Sequence, residues 1–120
     1  MEQSREHAAR MKAACELLAN TRRRYLLYQL VESGPRNVEE LSTQIAAWEN
    51  ESSLSSVSRE DHQQVYISLV HNHLPRLADY DIIDYDIRSG DVVCSDGFDD
   101  IQKLLEQFRQ TEERPESLTL

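Results

Sequence analysis

Residues 58–94 read SREDHQQVYISLVHNHLPRLADYDIIDYDIRSGDVVC. Ser58 is a helix N-cap, with Glu60 and Asp61 in the first turn behind it, where the helix dipole favours negative charge. Tyr66, Leu69, Val70, His73, Leu74 and Leu77 then recur at helical spacing and predict a buried stripe. Pro75 lies inside that stripe. It has no backbone donor, so it predicts a kink and leaves the His71 carbonyl without its usual partner. The period then changes from helical to alternating. Residues 83–87 (IDYDI) alternate cleanly, residues 92–94 (VVC) supply a partner strand, and Arg88-Ser89-Gly90-Asp91 reads as a hairpin turn with Gly90 at positive φ.

Upstream, Asn37 caps a helix with Glu40 three residues on as a capping-box partner. Leu41, Ile45 and Trp48 form its buried stripe, and Trp48 reads as a core anchor. The Ser-rich run 49–57 reads as a loop. Before it, Asn20 or Thr21 caps a helix over 22–33 with Leu27, Leu30 and Val31 on one face, stopped at Ser33-Gly34-Pro35. Residues 1–11 are polar and read as a flexible N-terminus or as the first turns of a helix ending near Leu18. Downstream, a helix over 97–109 buries Phe98, Ile101, Leu104, Leu105 and Phe108, and 111–120 read as a disordered tail. The expected class is α+β, mostly α, with one domain over 12–110.

Three helices followed at once by a two-stranded hairpin and an extra C-terminal helix is the order of a winged helix-turn-helix. The wording is similar to that family. The run Leu18-Ala19-Asn20-Thr21-Arg22-Arg23-Arg24-Tyr25-Leu26-Leu27 resembles the opening of ArsR-like winged-helix regulators. Val38-Glu39-Glu40-Leu41 resembles the start of their second helix, and His73-Leu74-Pro75-Arg76-Leu77 running into Ile82-Ile83-Asp84-Tyr85 the passage from recognition helix to wing. Residues 45–50, Val65-Tyr66 with Leu69, and residues 73–77 are closer still to haloarchaeal winged-helix domains. The Ser-rich run is a departure, because ArsR-like proteins join their second and third helices by a short turn. The resemblance implies a DNA-binding transcriptional regulator that dimerises through its terminal helices.

A recognition helix lies in the major groove with its N-terminal half against base edges. Once the apolar stripe faces the core, Arg59, Gln63, Gln64, Ser68 and His71 are left outward. Gln pairs with adenine through two hydrogen bonds, and Ser serves several bases. Arg22, Arg23 and Arg24 open a helix, where the dipole disfavours cations. Such a cluster needs a compensating partner, either phosphate or a carboxylate such as Glu16, Glu39 or Glu40. From this cluster Arg22 and Arg23, and at the wing tip Arg88, are the candidate phosphate contacts.

The 120 residues carry 13 Lys+Arg against 22 Asp+Glu, a net charge of −9. Residues 1–36 hold seven basic and four acidic side chains, so the excess of acid lies downstream. Lysine is nearly absent, with Lys12 and Lys103 alone. That balance points to a protein adapted to molar salt, where negative charge maintains solubility. It also opens a second reading, an acidic winged-helix module that binds protein rather than DNA. Cys15 and Cys94 stand far apart and read as free thiols of a reducing compartment. His71 and His73 at i, i+2 lie on different helix faces, so they predict no shared metal. Asp99 and Asp100, beside Asp96, read as dipole partners of the last helix. No nucleophile triad, Gly-rich phosphate loop or metalloprotease motif occurs, so neither an enzyme nor a cofactor is expected. With no apolar span and no secretory h-region, the expected location is cytoplasmic.

Overall fold

The computed structural model describes residues 2–112, with side chains from Arg5 onward. The chain is α+β and mostly helical. Helix α1 (Glu2–Leu18) is followed by α2 (Thr21–Ser33), strand β1 (Arg36–Asn37), α3 (Val38–Glu49), a 3-10 turn (Leu54–Ser56) and α4 (Arg59–Ser68). A π-helical turn (Leu69–His73) leads into α5 (Leu74–Asp79), strands β2 (Ile83–Tyr85) and β3 (Asp91–Cys94), and α6 (Phe98–Thr111).

The caps explain where the helices begin. Asn20 Oδ1 accepts from the Arg22 and Arg23 amides at 3.0 and 3.3 Å and starts α2 at Thr21. The capping box forms at α3, where Asn37 Oδ1 accepts from Glu39 N–H and Glu40 Oε1 accepts from Asn37 N–H. Ser58 Oγ accepts from Asp61 N–H at 3.0 Å and starts α4. Each cap satisfies amides that a helix terminus otherwise leaves without partners.

One core joins α1 through α6. Leu17, Leu18, Leu26, Leu27, Tyr28, Leu41, Ile45, Leu69, Leu74, Leu77, Ile83 and Val92 are all buried in it. Tyr25 meets Trp48 edge to face at 5.3 Å between ring centroids, which locks α2 to α3. Trp48 is a core anchor, 3% exposed. Val31 departs from the expected buried face of α2 and is exposed, because Tyr25, Leu26, Leu27, Tyr28 and Leu30 already fill that side.

Pro75 is accommodated by widening the helix one turn ahead of it. Leu74 N–H donates to Leu69 O, five residues back, so the π turn takes up an extra residue without breaking the helical path. Leu69 and Leu74 consequently both face inward at 0% exposure, with Val65, His73 and Leu77 beside them. Tyr66 and Val70 lie at the edge of that face, packed against the core but only partly buried.

The sheet has three strands rather than the expected two. Its order is β1-β3-β2, all pairs antiparallel, with Arg36 opposite Val92 and Ile83 opposite Cys94. Strand β2 also stops at Tyr85, two residues short of the expected end. Asp86 N–H donates to Asp91 O and Gly90 N–H to Asp86 O, so residues 86–90 form the turn. Gly90 takes φ +82, and a Cβ there would lie 3.1 Å from both Asn37 Nδ2 and Val38 Cγ1.

The N-terminal end takes the second of the two forms expected for it, and the last helix runs further than expected. The described part of 1–11 is helical, since α1 begins at Glu2. Helix α6 extends to Thr111, and Glu112 is held by Arg24 and Tyr28, so the start of the expected tail is anchored by ion pairing. The rest of that tail lies outside the described residues. Gly97 N–H donates to Asp81 O at 2.8 Å where α6 docks, and a Cβ on Gly97 would come within 2.5 Å of that oxygen. Cys15 and Cys94 are free and exposed.

Candidate nucleic-acid interface

With Val65 and Leu69 turned inward, α4 presents Arg59, Gln63, Gln64 and Ile67 to solvent, and the π turn presents His71 and Asn72. Ser68 is half-buried. It lines a polar cleft of about 530 Å³ with Asn20, Arg22, Glu49, Asn72 and His73. Two predicted residues, Arg22 and Ser68, therefore meet in that cleft, while Arg59, Gln63, Gln64 and His71 share the open helix face.

The hairpin is tied to the start of the same helix through α3. His62 Nε2 lies 3.1 Å from Glu39 Oε2 and its ring stacks on Tyr66 at 6.1 Å. Two residues before Glu39, Asn37 Nδ2 donates to Ser89 O at 2.8 Å and to Asp91 Oδ1 at 3.2 Å, while Val38 N–H donates to Gly90 O. On the other side of the hairpin, burial raises the pKa of Tyr85, with Tyr66 of α4 and Asp86 adding to the shift. The first turn of α4, the first turn of α3 and the hairpin turn thus form one continuous edge. Arg88 is exposed on it. Its amide donates to Asp86 Oδ1 at 2.9 Å.

The arginine cluster is disposed differently. Arg22 grips Glu49 through Nε at 2.6 Å and Nη2 at 3.0 Å, which raises its pKa. Arg24 grips Glu112 the same way, donates to Leu18 O and lies over the Phe108 ring at 4.9 Å. The carboxylate partners are Glu49 and Glu112, not Glu16, Glu39 or Glu40. Glu39 instead meets His62, and Glu40 meets Arg36. Arg23 points into the core at 8% exposure, donating from Nε to His73 Nδ1 at 3.0 Å. It is lodged among the ends of α1 and α2 and the π turn, out of reach of a phosphate in this conformation. Desolvation, then the charge of Arg76, lowers its pKa.

His73 is the counterpart. It is 2% exposed, and desolvation, with Arg23 and Arg22 nearby, holds its pKa down at about 4. The ring is neutral at pH 7. Because Nδ1 accepts from Arg23, the proton resides on Nε2.

Charge divides the surface. The exposed side of α4 and the π turn carries Arg59 against Glu60 among Gln63, Gln64, Ile67, His71 and Asn72. The hairpin exposes Asp84, Asp86 and Asp91 around Arg88, and α6 exposes Asp99, Asp100 and Glu106. An apolar groove of about 320 Å³ separates α1 from α6, lined by Ala9, Ala13, Leu17, Ile82 and Ile101 among others. Among the described residues no cluster of three His, Cys, Asp or Glu could hold a metal, and no helix is long and apolar enough to cross a membrane.

Sequence reasoning missed Asn37 as the brace of the hairpin, Glu39 as the partner of His62, and Ile87 as a turn residue. Asp86 ahead of Ser89-Gly90 carried a usable signal, since Asp at the first turn position caps the next amides. The other two contacts join residues far apart in the chain and left no local trace.

No curated protein and no solved structure matches the chain. Residues 15–93, from the end of α1 through β3, match the model of a family described as a domain of unknown function, DUF7344. That range covers about two thirds of the chain and takes in α2, α3, α4 and the hairpin, so the chain belongs to the DUF7344 family.

Proposed function

We propose that this protein is a winged-helix, ArsR-like transcriptional regulator of a salt-adapted cell, reading duplex DNA through α4 with the hairpin as its wing. One observation carries the reading: the polar, nearly neutral face of α4 and the hairpin turn lie on one edge, tied by the Glu39–His62 and Asn37–Ser89 contacts. Gln63 and Gln64 supply paired donors and acceptors for base edges, with His71 further along. Arg59 and Arg88 are the exposed cations for phosphate. Arg22 reaches phosphate only by leaving Glu49, and Arg23 acts from within the core by holding His73. A homodimer through α1 and α6 would present two such faces to half-sites about one duplex turn apart.

Counterion release supplies little affinity in molar salt, because log K falls with log salt at about −0.9 per phosphate neutralised. Base contacts and shape fit must then dominate, which suits a face rich in Gln rather than Lys. The experiment is selection from a random duplex pool at roughly 2 M KCl, where the screening length is about 2 Å. Enrichment of a near-palindromic motif, lost when Gln63 and Gln64 are both changed to Ala in a protein that still folds, supports the reading. A pool that stays random sinks it.

The acidic hairpin and α6 favour a second reading, a module whose Asp-rich surface meets a basic protein. Retention of a basic partner that is lost when Asp84 and Asp91 are changed to Asn, together with a random duplex pool, would support that reading.

A further inference from the structure

Ile87 is 82% exposed, against 43–48% for the other exposed large hydrophobic side chains. It stands at the tip of the hairpin turn, and the backbone on both sides of it is immobilised. Asp86 Oδ1 accepts from Arg88 N–H at 2.9 Å and from Ser89 N–H at 3.3 Å. Gly90 N–H donates to Asp86 O at 2.7 Å, and Asp91 N–H to Ser89 Oγ at 3.2 Å. From β1, Asn37 Nδ2 donates to Ser89 O, and from the first residue of α3, Val38 N–H donates to Gly90 O. The turn therefore resists folding Ile87 back onto the protein.

We propose that Ile87 is a minor-groove wedge, which inserts at a deformable base step beside the sequence read by α4 and bends the duplex. This rests on the DNA-reading assignment above and adds to it a residue and a mode of recognition. Apolar wedges that part neighbouring base pairs are a general device of minor-groove binders, and they select pyrimidine–purine steps because those unstack easily. A wedge has to be presented rigidly, since a mobile tip loses conformational entropy on insertion. The braced turn meets that requirement.

The surroundings distinguish a base step from a protein pocket. A protein hot spot sits within an apolar patch ringed by polar residues. Here Ile87 stands alone, with exposed Asp86, Arg88 and Ser89 around it, so an occupant must accept one apolar spike and leave its neighbours hydrated. Arg88 is adjacent and exposed, placed for the sugar-phosphate edge of the same groove. Asp84, Asp86 and Asp91 keep their charge at this tip, although Asp86 Oδ1 and Asp91 Oδ1 are held by the turn's amides and by Asn37, so insertion requires the molar salt that screens their repulsion from phosphate.

The test uses the full chain at roughly 2 M KCl with the duplex enriched by selection, labelled at both ends for energy transfer and carrying 2-aminopurine at the steps flanking the half-site. The expected result is a rise in 2-aminopurine emission at one flanking step and a shortened end-to-end distance. Both should be lost in Ile87→Ser, with affinity down roughly tenfold or more, as expected when a branched aliphatic side chain is no longer buried. Ile87→Leu should retain both signals. Wild-type affinity and an unchanged bend in Ile87→Ser overturn the wedge while leaving DNA reading by α4 intact. Loss of DNA binding in Gln63→Ala with Gln64→Ala but not in Ile87→Ser likewise overturns the wedge alone. A pool from which no duplex is enriched overturns both proposals together.

Discussion

Arg23 and His73 show how a residue type can be read correctly and its role misplaced. Three arginines at the start of a helix do require compensation. Two obtain it from Glu49 and Glu112, and Arg23 obtains it from a neutral imidazole and the carbonyls of Glu16 and Leu17 in the core. The arrangement has a pH consequence. The folded pKa of His73, about 4, lies below its ordinary 6.5, so the unfolded chain binds the proton more readily. The stability tied to the neutral ring is complete above pH 6.5 and is lost as pH falls from there toward 4. Urea unfolding of wild type and His73→Asn across pH 7.5 to 4.5 should show a steeper loss for wild type. Parallel curves would mean that His73 is protonated in the folded protein or that carboxylates govern the whole slope.

At the scale of elements, Ser58, Asn37 and Asn20 were legible as caps because a cap is a local hydrogen bond between near neighbours. The helix stripes were legible in outline for the same reason. The π turn was not. Pro75 announced a disturbance, but whether a helix kinks, ends or widens depends on which side chains must stay inward. Here Leu69 and Leu74 must both be buried, and a five-residue step achieves that. Strand β1 has two residues, too few for any alternation, and exists because β3 passes beside it. The hairpin's dependence on β1 yields a prediction. Gly90→Ala places a methyl 3.1 Å from Asn37 and Val38 at a φ of +82, so it should cost about 1–3 kcal/mol. Chemical denaturation measures the loss, and faster exchange of the Val38 and Asp91 amides should locate it at this edge. A loss below about half a kcal/mol, with those amides still protected, would mean that the turn relaxes into another shape.

Across the whole molecule, charge is distributed by region. The densest acidic stretch is the hairpin with its flanks, where residues 81–96 hold five Asp against Arg88, whereas α4 carries Arg59 against Glu60 and Asp61. Repulsion among Asp81, Asp84, Asp86 and Asp91, and among Asp96, Asp99 and Asp100, opposes folding at low ionic strength. The arginine–carboxylate pairs Arg22–Glu49, Arg24–Glu112, Arg36–Glu40 and Arg109–Glu32 are partly exposed and contribute modestly. Raising KCl from 0.1 to 2 M should therefore increase the urea midpoint, with a gain on the order of 1 kcal/mol or more, since like charges at contact in water cost about that much per pair. A midpoint that falls with KCl would show that attraction within the ion pairs outweighs repulsion.

Local patterns along the chain were enough for the α+β, mostly helical class, the order of helices and hairpin, the burial of Trp48 and His73, and the caps that start α2, α3 and α4. All of these follow from periodicity and from hydrogen bonds between residues a few positions apart. The third strand, the partners of the arginines, the brace from Asn37 to the hairpin turn and the exposure of Ile87 emerge only once the chain is packed. Arg24 and Glu112 are 88 positions apart and Asn37 and Ser89 are 52 apart, and both pairs meet only because the core brings their helices and strands together. Contacts of that kind are set by how faces pack and by which charges must be neutralised on leaving water, and no local pattern encodes either.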